Sequence, residues 1–127
     1  MREAEKLLEK SEKFLSDANS GLIHDLSLEM VQNRIYYSMF LAAKAALLTE
    51  DVEAGTHSSV NRQLGKVFVK EKEVLSKEMG RFYSVQQTLR EKADYDSDAS
   101  FDREEIKRGL EKAEAFVEEM KDIVERS

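Results

Sequence analysis

No proline occurs in the 127-residue chain, and apolar side chains return at three- and four-residue intervals along most of it. Proline breaks a helix outright, because it lacks an N–H and its ring clashes with the preceding turn. Apolar groups three and four apart share one face of an α-helix. A half-buried strand instead alternates every second residue, and no segment here sustains that pattern. Ala, Leu, Glu and Lys, all good helix formers, dominate the rest. The fold predicted is all-α: an antiparallel four- to five-helix up-down bundle with a short third helix, one helical domain over residues 1–127.

The first helix is expected from about Glu3 to Ala18, with Ala4, Leu7, Ser11, Phe14, Leu15 and Ala18 on one stripe. Asn19-Ser20-Gly21 should end it, with Gly21 in the left-handed conformation. The second helix starts near Asp25 or Ser27, both capping residue types, and runs to about Thr49. Its line of Leu28, Val31, Ile35, Met39, Ala42 and Ala46 is widened by Tyr36, Phe40 and Leu47, which makes it central. Ala42, Ala43, Ala45 and Ala46 let a neighbour approach closely.

A loop at Glu53-Ala54-Gly55 leads to Thr56, a cap for a third helix carrying Val60, Leu64, Val67 and Phe68. After a polar break from Lys70 to Glu73, a fourth helix places Leu75, Met79, Phe82, Val85, Leu89 and Ala93 on one face. Gly80 within it marks close packing or a bend. The fifth helix opens on Asp102 with Glu105 three residues on, a capping-box arrangement, and Phe101 and Ile106 at staple spacing. Its stripe continues through Leu110, Ala113, Phe116, Val117, Met120 and Ile123.

Several function classes are disfavoured by composition. A net charge of −6 argues against broad non-specific nucleic-acid binding, though it permits a local basic patch. With no cysteine there is no thiol chemistry or disulfide framework, and a reducing cytoplasm is the expected location. No apolar run approaches the ~20 residues of a membrane span, and Met1 leads into charged residues rather than a signal peptide. There is no nucleophile elbow, no phosphate-cradling glycine loop and no zinc-helix pairing of the two histidines, His24 and His57. No cofactor is implied. His57 has two readings: a first-turn residue bonding to its own loop, or a functional group.

The acidic segment DYDSDASFDREE offers a sharper alternative. Asp94, Asp96, Asp98, Asp102 and Glu105 fall at the first, third, fifth, ninth and twelfth positions of a calcium-binding EF-hand loop, with a helix on each side. Against this stand Ala99, at the sixth position, where the loop's sharp turn calls for glycine, and the lack of a second loop. The bland reading is an acidic turn whose Asp102 and Glu105 serve as a cap. Arg90 and Asp94, four apart, can pair on one helical face. Asp94 and Asp96 lie at a helix C-terminus, where negative charge typically costs about 0.3–1 kcal/mol. A cation such as Arg34 would offset that, unless the pair is simply solvated.

In order along the chain, NRIYYSMFLAAKAALL, THSSV, FVK, REKADYD and FDREEIKRGLEKAEAFVEEM resemble the HEPN family, the "higher eukaryotes and prokaryotes nucleotide-binding" domain. The resemblance implies a helical bundle, usually a homodimer, and often a small nucleotidyltransferase partner in a toxin–antitoxin type of pair. It also implies metal-independent ribonuclease chemistry at an arginine followed by four to six residues and then a histidine. This chain departs from that motif: after Arg90 those spacings give Tyr95, Asp96 and Ser97. Tyr95, with an ordinary pKa of about 10, would be a poor base at neutral pH.

The first functional reading is therefore a HEPN-like partner of a minimal nucleotidyltransferase, with Arg34, Tyr36, Tyr37, His57, Arg90, Asp94 and Tyr95 as a ligand-binding or interface cluster for a nucleotide or RNA. A second is a ribonuclease in which the fold brings His57 to Arg90. A third is calcium binding at residues 94–105, and a fourth treats the polar cluster as dimer glue.

Overall fold

In the computed structural model, which describes residues 2–127, five α-helices follow in order: α1 (Glu3–Ile23), α2 (Leu28–Leu48), α3 (His57–Leu64), α4 (Lys77–Tyr95) and α5 (Arg103–Arg126). A π-helical segment, Gly65–Glu71, joins α3 to α4. The long helices pack as an all-α bundle in which α2 is central, contacting α1, α5, α4 and α3. The periodicity called for this arrangement. Val31, Ile35, Tyr36, Met39, Ala42, Ala43, Ala45, Ala46 and Leu47 are all fully buried on α2. Burial almost all round is what a central helix requires. No described helix is long and apolar enough to cross a membrane.

Capping residues fix most boundaries. Ser27, Thr56, Ser76 and Asp102 each accept a hydrogen bond from the backbone N–H three residues on. The reciprocal box forms at Thr56, where the Ser59 hydroxyl accepts from the Thr56 N–H at 3.0 Å. That box fixes the direction in which α3 leaves its loop.

Two expectations need correcting. First, α1 does not stop at Ala18 but continues through Asn19-Ser20-Gly21 to Ile23. The left-handed residue is Asp25, at φ 55, so Asp25 is not a cap for α2. Leu26 N–H bonds to Gly21 O at 2.8 Å, and Asp25 N–H makes a longer bond to Leu22 O at 3.4 Å. This is the Schellman pattern, with an Asp in the place usually held by Gly. Gly21 serves proximity instead. A Cβ there would sit 3.0 Å from Val31 Cγ2 and 3.1 Å from Met30 Cε, so its absence lets α1 and α2 close at this end.

Second, α4 presents a different face to the core. Its buried residues are Met79, Tyr83, Gln86 and Arg90, while Val85 is 52% exposed and Phe82, Leu89 and Ala93 are only partly covered. Both stripes have helical spacing. Hydropathy favours the wrong one, because Gln86 and Arg90 are buried against polar and aromatic partners on α2 and Tyr83 is buried for its ring. Gly80 does mark close packing, since a Cβ there would lie 3.3 Å from Val69 Cγ2 of the π-helical segment.

Candidate functional site

Three elements converge on one edge of α2. Tyr36 and Tyr37 stand side by side on it, Tyr36 fully buried and Tyr37 half-buried, with Phe40 one turn on. The Thr56 cap starts α3 at His57, and the Tyr36 hydroxyl bonds to His57 Nδ1 at 2.7 Å. The imidazole lies 4.5 Å from the Phe40 ring and within 6 Å of both tyrosines, at 5.5 and 5.7 Å between centroids. From α4, Arg90 extends its guanidinium over Tyr36 at 5.3 Å and over Tyr37 at 5.8 Å. Both distances suit cation–π attraction.

Arg90 is 6% exposed, yet its ion pairing is weak. Its one carboxylate neighbour, Asp94, stands 3.5 Å away, and its buried Nε has no hydrogen-bond partner. Asp94 is shared with Asn33, whose amide donates to it at 3.0 Å, and Arg34 donates to the Asn33 carbonyl oxygen at 2.7 Å. An arginine this buried is costly unless its donors are matched. The two tyrosine rings it lies against supply part of that compensation.

The protonation states follow from burial. Tyr36 is pushed up to about 12 by burial, against the opposing influences of Tyr83 and Arg90. Tyr83 is driven well above the ordinary tyrosine value, again by burial first. The two phenols are close enough to influence each other's ionisation, yet no well-aligned hydrogen bond joins them, and Tyr83 Oη is left buried without a partner. His57 is held below its ordinary value by burial and then by the charge of Arg90, so it is neutral at pH 7. A protonated Tyr36 and a neutral His57 share one proton between the hydroxyl and Nδ1, and with the phenol as donor Nε2 is the N–H end of the ring. In this arrangement His57 offers a hydrogen-bond donor, not a base.

Of the residues singled out from sequence, Tyr36, Tyr37, His57, Arg90 and Asp94 come together. Arg34 joins only at the rim, through Asn33, and its guanidinium lies over Phe14 at 5.3 Å rather than on Asp94 or Asp96. Tyr95 is 81% exposed, away from the ring cluster. His57 bonds to Tyr36 rather than to its own loop. The calcium loop does not assemble. Asp94 faces Asn33 and Arg90, Asp96 accepts from Asp98 N–H at 2.9 Å and Asp102 from Glu105 N–H at 3.0 Å. Among the described residues no three His, Asp or Glu side chains gather to hold a metal ion.

Phe40, Asn33 and Tyr83 belong to this region and were not singled out. Phe40 and Tyr83 look like ordinary core residues in sequence, and Asn33, which opens the NRIYY stretch, reads as a plain helix residue there. A second buried polar contact, Gln32 Nε2 to Gln86 Oε1 at 2.8 Å, likewise has no local signature beyond two glutamines in helical register with the core.

The comparisons with known proteins agree with this architecture. The family model described as "HEPN domain" matches residues 4–123. "Putative toxin MJ0142" of Methanocaldococcus jannaschii is 37% identical over 120 residues, covering 94% of this chain and 80% of that protein. A "UPF0332 protein" of Thermotoga maritima is 33% identical over 129 residues, covering 98% and 96%. "Putative toxin MJ0605", also of M. jannaschii, is 34% identical over 119 residues, covering 94% and 87%. With a family match over nearly its whole length, a helical bundle to fit and relatives this similar end to end, the chain belongs to the HEPN family.

Proposed function

We propose that this protein is the HEPN component of a toxin–antitoxin pair, acting as a homodimer beside a small nucleotidyltransferase, with the Tyr36–Tyr37–His57–Arg90 cluster as its ligand or partner site. The observation that carries the reading is Arg90. The residue is 6% exposed, and its guanidinium lies against both tyrosine rings, with one carboxylate among the described residues to match it at 3.5 Å. A buried cation so lightly compensated suits an anionic group arriving at the edge of the cluster, where His57 Nε2–H is a second donor. Two relatives named as toxins support the pairing. Affinity purification of the tagged protein from its native extract tests it. Recovery of a nucleotidyltransferase with the wild type, and much less with Arg90→Ala, is the expected result. Recovery of no transferase would count decisively against the pairing.

One observation favours a second reading, a ribonuclease: the fold brings His57 and Arg90 against the same Tyr36 ring. Nδ1 is engaged by Tyr36, so catalysis would need the other tautomer or a rearranged ring. Incubation of the purified protein with total RNA separates the two readings. Cleavage lost in both Arg90→Ala and His57→Ala supports the nuclease, and cleavage that survives both removes these residues from it.

A further inference from the structure

Charge is unevenly distributed along this acidic chain. Between His57 and Lys92, eight Lys and Arg residues stand against four Asp and Glu, a net of +4 within a chain of −6, which leaves the remainder at −10. Lys72, Arg90 and other cations are paired, but Arg62, Lys66, Lys70, Lys77 and Arg81 enter no ion pair among the described residues. All five are exposed. Arg62, Lys66 and Lys70 recur every fourth residue along the outside of α3 and the π-helical segment, and Lys77 and Arg81 do so along the first turns of α4.

A groove of about 300 Å³ lies between α3, the π-helical segment and the start of α4, lined by Asn61, Leu64, Gly65, Val69, Lys77, Gly80, Arg81 and Ser84, so that the second row of cations lines it and the first stands outside the lining. It contains no carboxylate. Each of four other surface grooves of similar size carries at least two acidic side chains. Its wall is bare main chain at Gly65, where a Cβ would meet nothing within 4 Å, so a ligand can approach the backbone directly. Neutral hydrogen-bonding groups sit in it as well, with the Ser84 hydroxyl donating to Asn61 Oδ1 at 3.1 Å.

We infer that the groove between α3, the π-helical segment and α4 is a docking surface for the phosphodiester backbone of a nucleic-acid strand. Lys77 and Arg81 in the lining, with Arg62, Lys66 and Lys70 exposed on the neighbouring surface of α3 and the π-helical segment, match a chain of regularly spaced negative charges, and association releases counterions from it. A protein partner would call for a large apolar anchor at the centre of the contact. The exposed large apolar residues Ile23, Leu26, Val74, Val85 and Tyr95 all lie outside this lining. The surface is separate from the Tyr36–His57–Arg90 cluster, though α3 carries both His57 and the first of the cations. It stands whether or not that cluster cleaves anything.

Fluorescence anisotropy with labelled oligouridylate and oligothymidylate of about twelve nucleotides tests the inference. Each cation engaged should contribute about 0.7 to the slope of log affinity against log salt on a single strand. Binding should weaken steeply between about 50 and 200 mM salt. The pair Lys66→Glu and Arg81→Glu should lower affinity by about tenfold or more and flatten the slope by about one to two. Binding of both strands fits a backbone reader, and binding of RNA alone would add a 2′-hydroxyl contact to it. Lys10→Glu, the charge change of each single groove substitution placed on the exposed side of α1, should leave binding unchanged, and the groove variants should still capture a partner in the affinity purification, so failure of the proposed cluster and of this groove are distinguishable. Absence of binding at low salt, or equal losses in Lys10→Glu and the groove variants, would overturn the assignment. Melting curves on each variant confirm that these exposed substitutions leave the fold intact.

Discussion

The two interfaces made by α2 are built on different principles. Against α1 it packs small and apolar groups: Gly21 closes on Val31 and Met30, and Ser11 tucks its hydroxyl onto the Ser38 carbonyl at 2.6 Å. Against α3 and α4 it packs directional polar contacts, Gln32 with Gln86, Tyr36 with His57 and the tyrosine faces with Arg90. The first interface is held by apolar burial, which is insensitive to pH and orientation. The second ties up polar groups that cost free energy unless matched, and it leaves Tyr83 Oη and Arg90 Nε unmatched. Apolar closure and polar matching are thus assigned to different faces of one helix.

The contrast can be broken by substitution. Leu8→Ala on α1, at a position 6% exposed, should cost about 2–5 kcal/mol in chemical denaturation while the capture of a partner is retained. A loss of capture greater than the loss of folded protein would mean the apolar side is also functional. Tyr83→Phe acts in the opposite sense on the polar side. It removes a buried hydroxyl with no partner and should stabilise by about 1–3 kcal/mol, read as a higher denaturation midpoint at unchanged slope. A destabilised variant would show that the hydroxyl is paired in solution. Thr56→Ala removes the cap that aims His57 and should cost about 1 kcal/mol.

The smallest effect is the pH response of the polar side. Unfolded, His57 titrates near 6.5, and burial with Arg90 holds it lower in the fold. Below that value the unfolded chain takes up a proton that the folded chain resists. His57 therefore contributes no pH penalty above about pH 6.5, and stability falls as the pH drops through 6.5 toward the folded value. The slope should be smaller in His57→Gln. An unchanged slope in that variant would place the titrating group elsewhere.

Legibility in the sequence followed the same division. The α2 core line and the caps at Ser27, Thr56 and Asp102 could be read directly, because local spacing and local hydrogen bonds produce them. The face of α4 could not. Hydropathy ranked Phe82, Val85 and Leu89 above Tyr83, Gln86 and Arg90, and only partners on α2 reverse that order. The end of α1 was misplaced because Gly21 was assigned a turn when its job is contact with α2, which has no local signature. In the candidate site, Tyr36, Tyr37, His57 and Arg90 drew notice as residue types, but their order of contact is tertiary. Arg34 was matched to Asp94 by charge alone, whereas Asn33 stands between them.

By itself, then, the sequence determined that this chain is a helical bundle of the HEPN kind with a central, nearly all-buried second helix. That information is periodic and local, and it is repeated in every turn of the chain. Only the tertiary structure decided which polar groups are buried together: His57 bonded to Tyr36, Arg90 against two tyrosine rings and the acidic loop dispersed into caps and single contacts. The physical reason is that burying a charge or a phenol is favourable only with particular partners at particular distances. Those partners come from helices far apart in the chain.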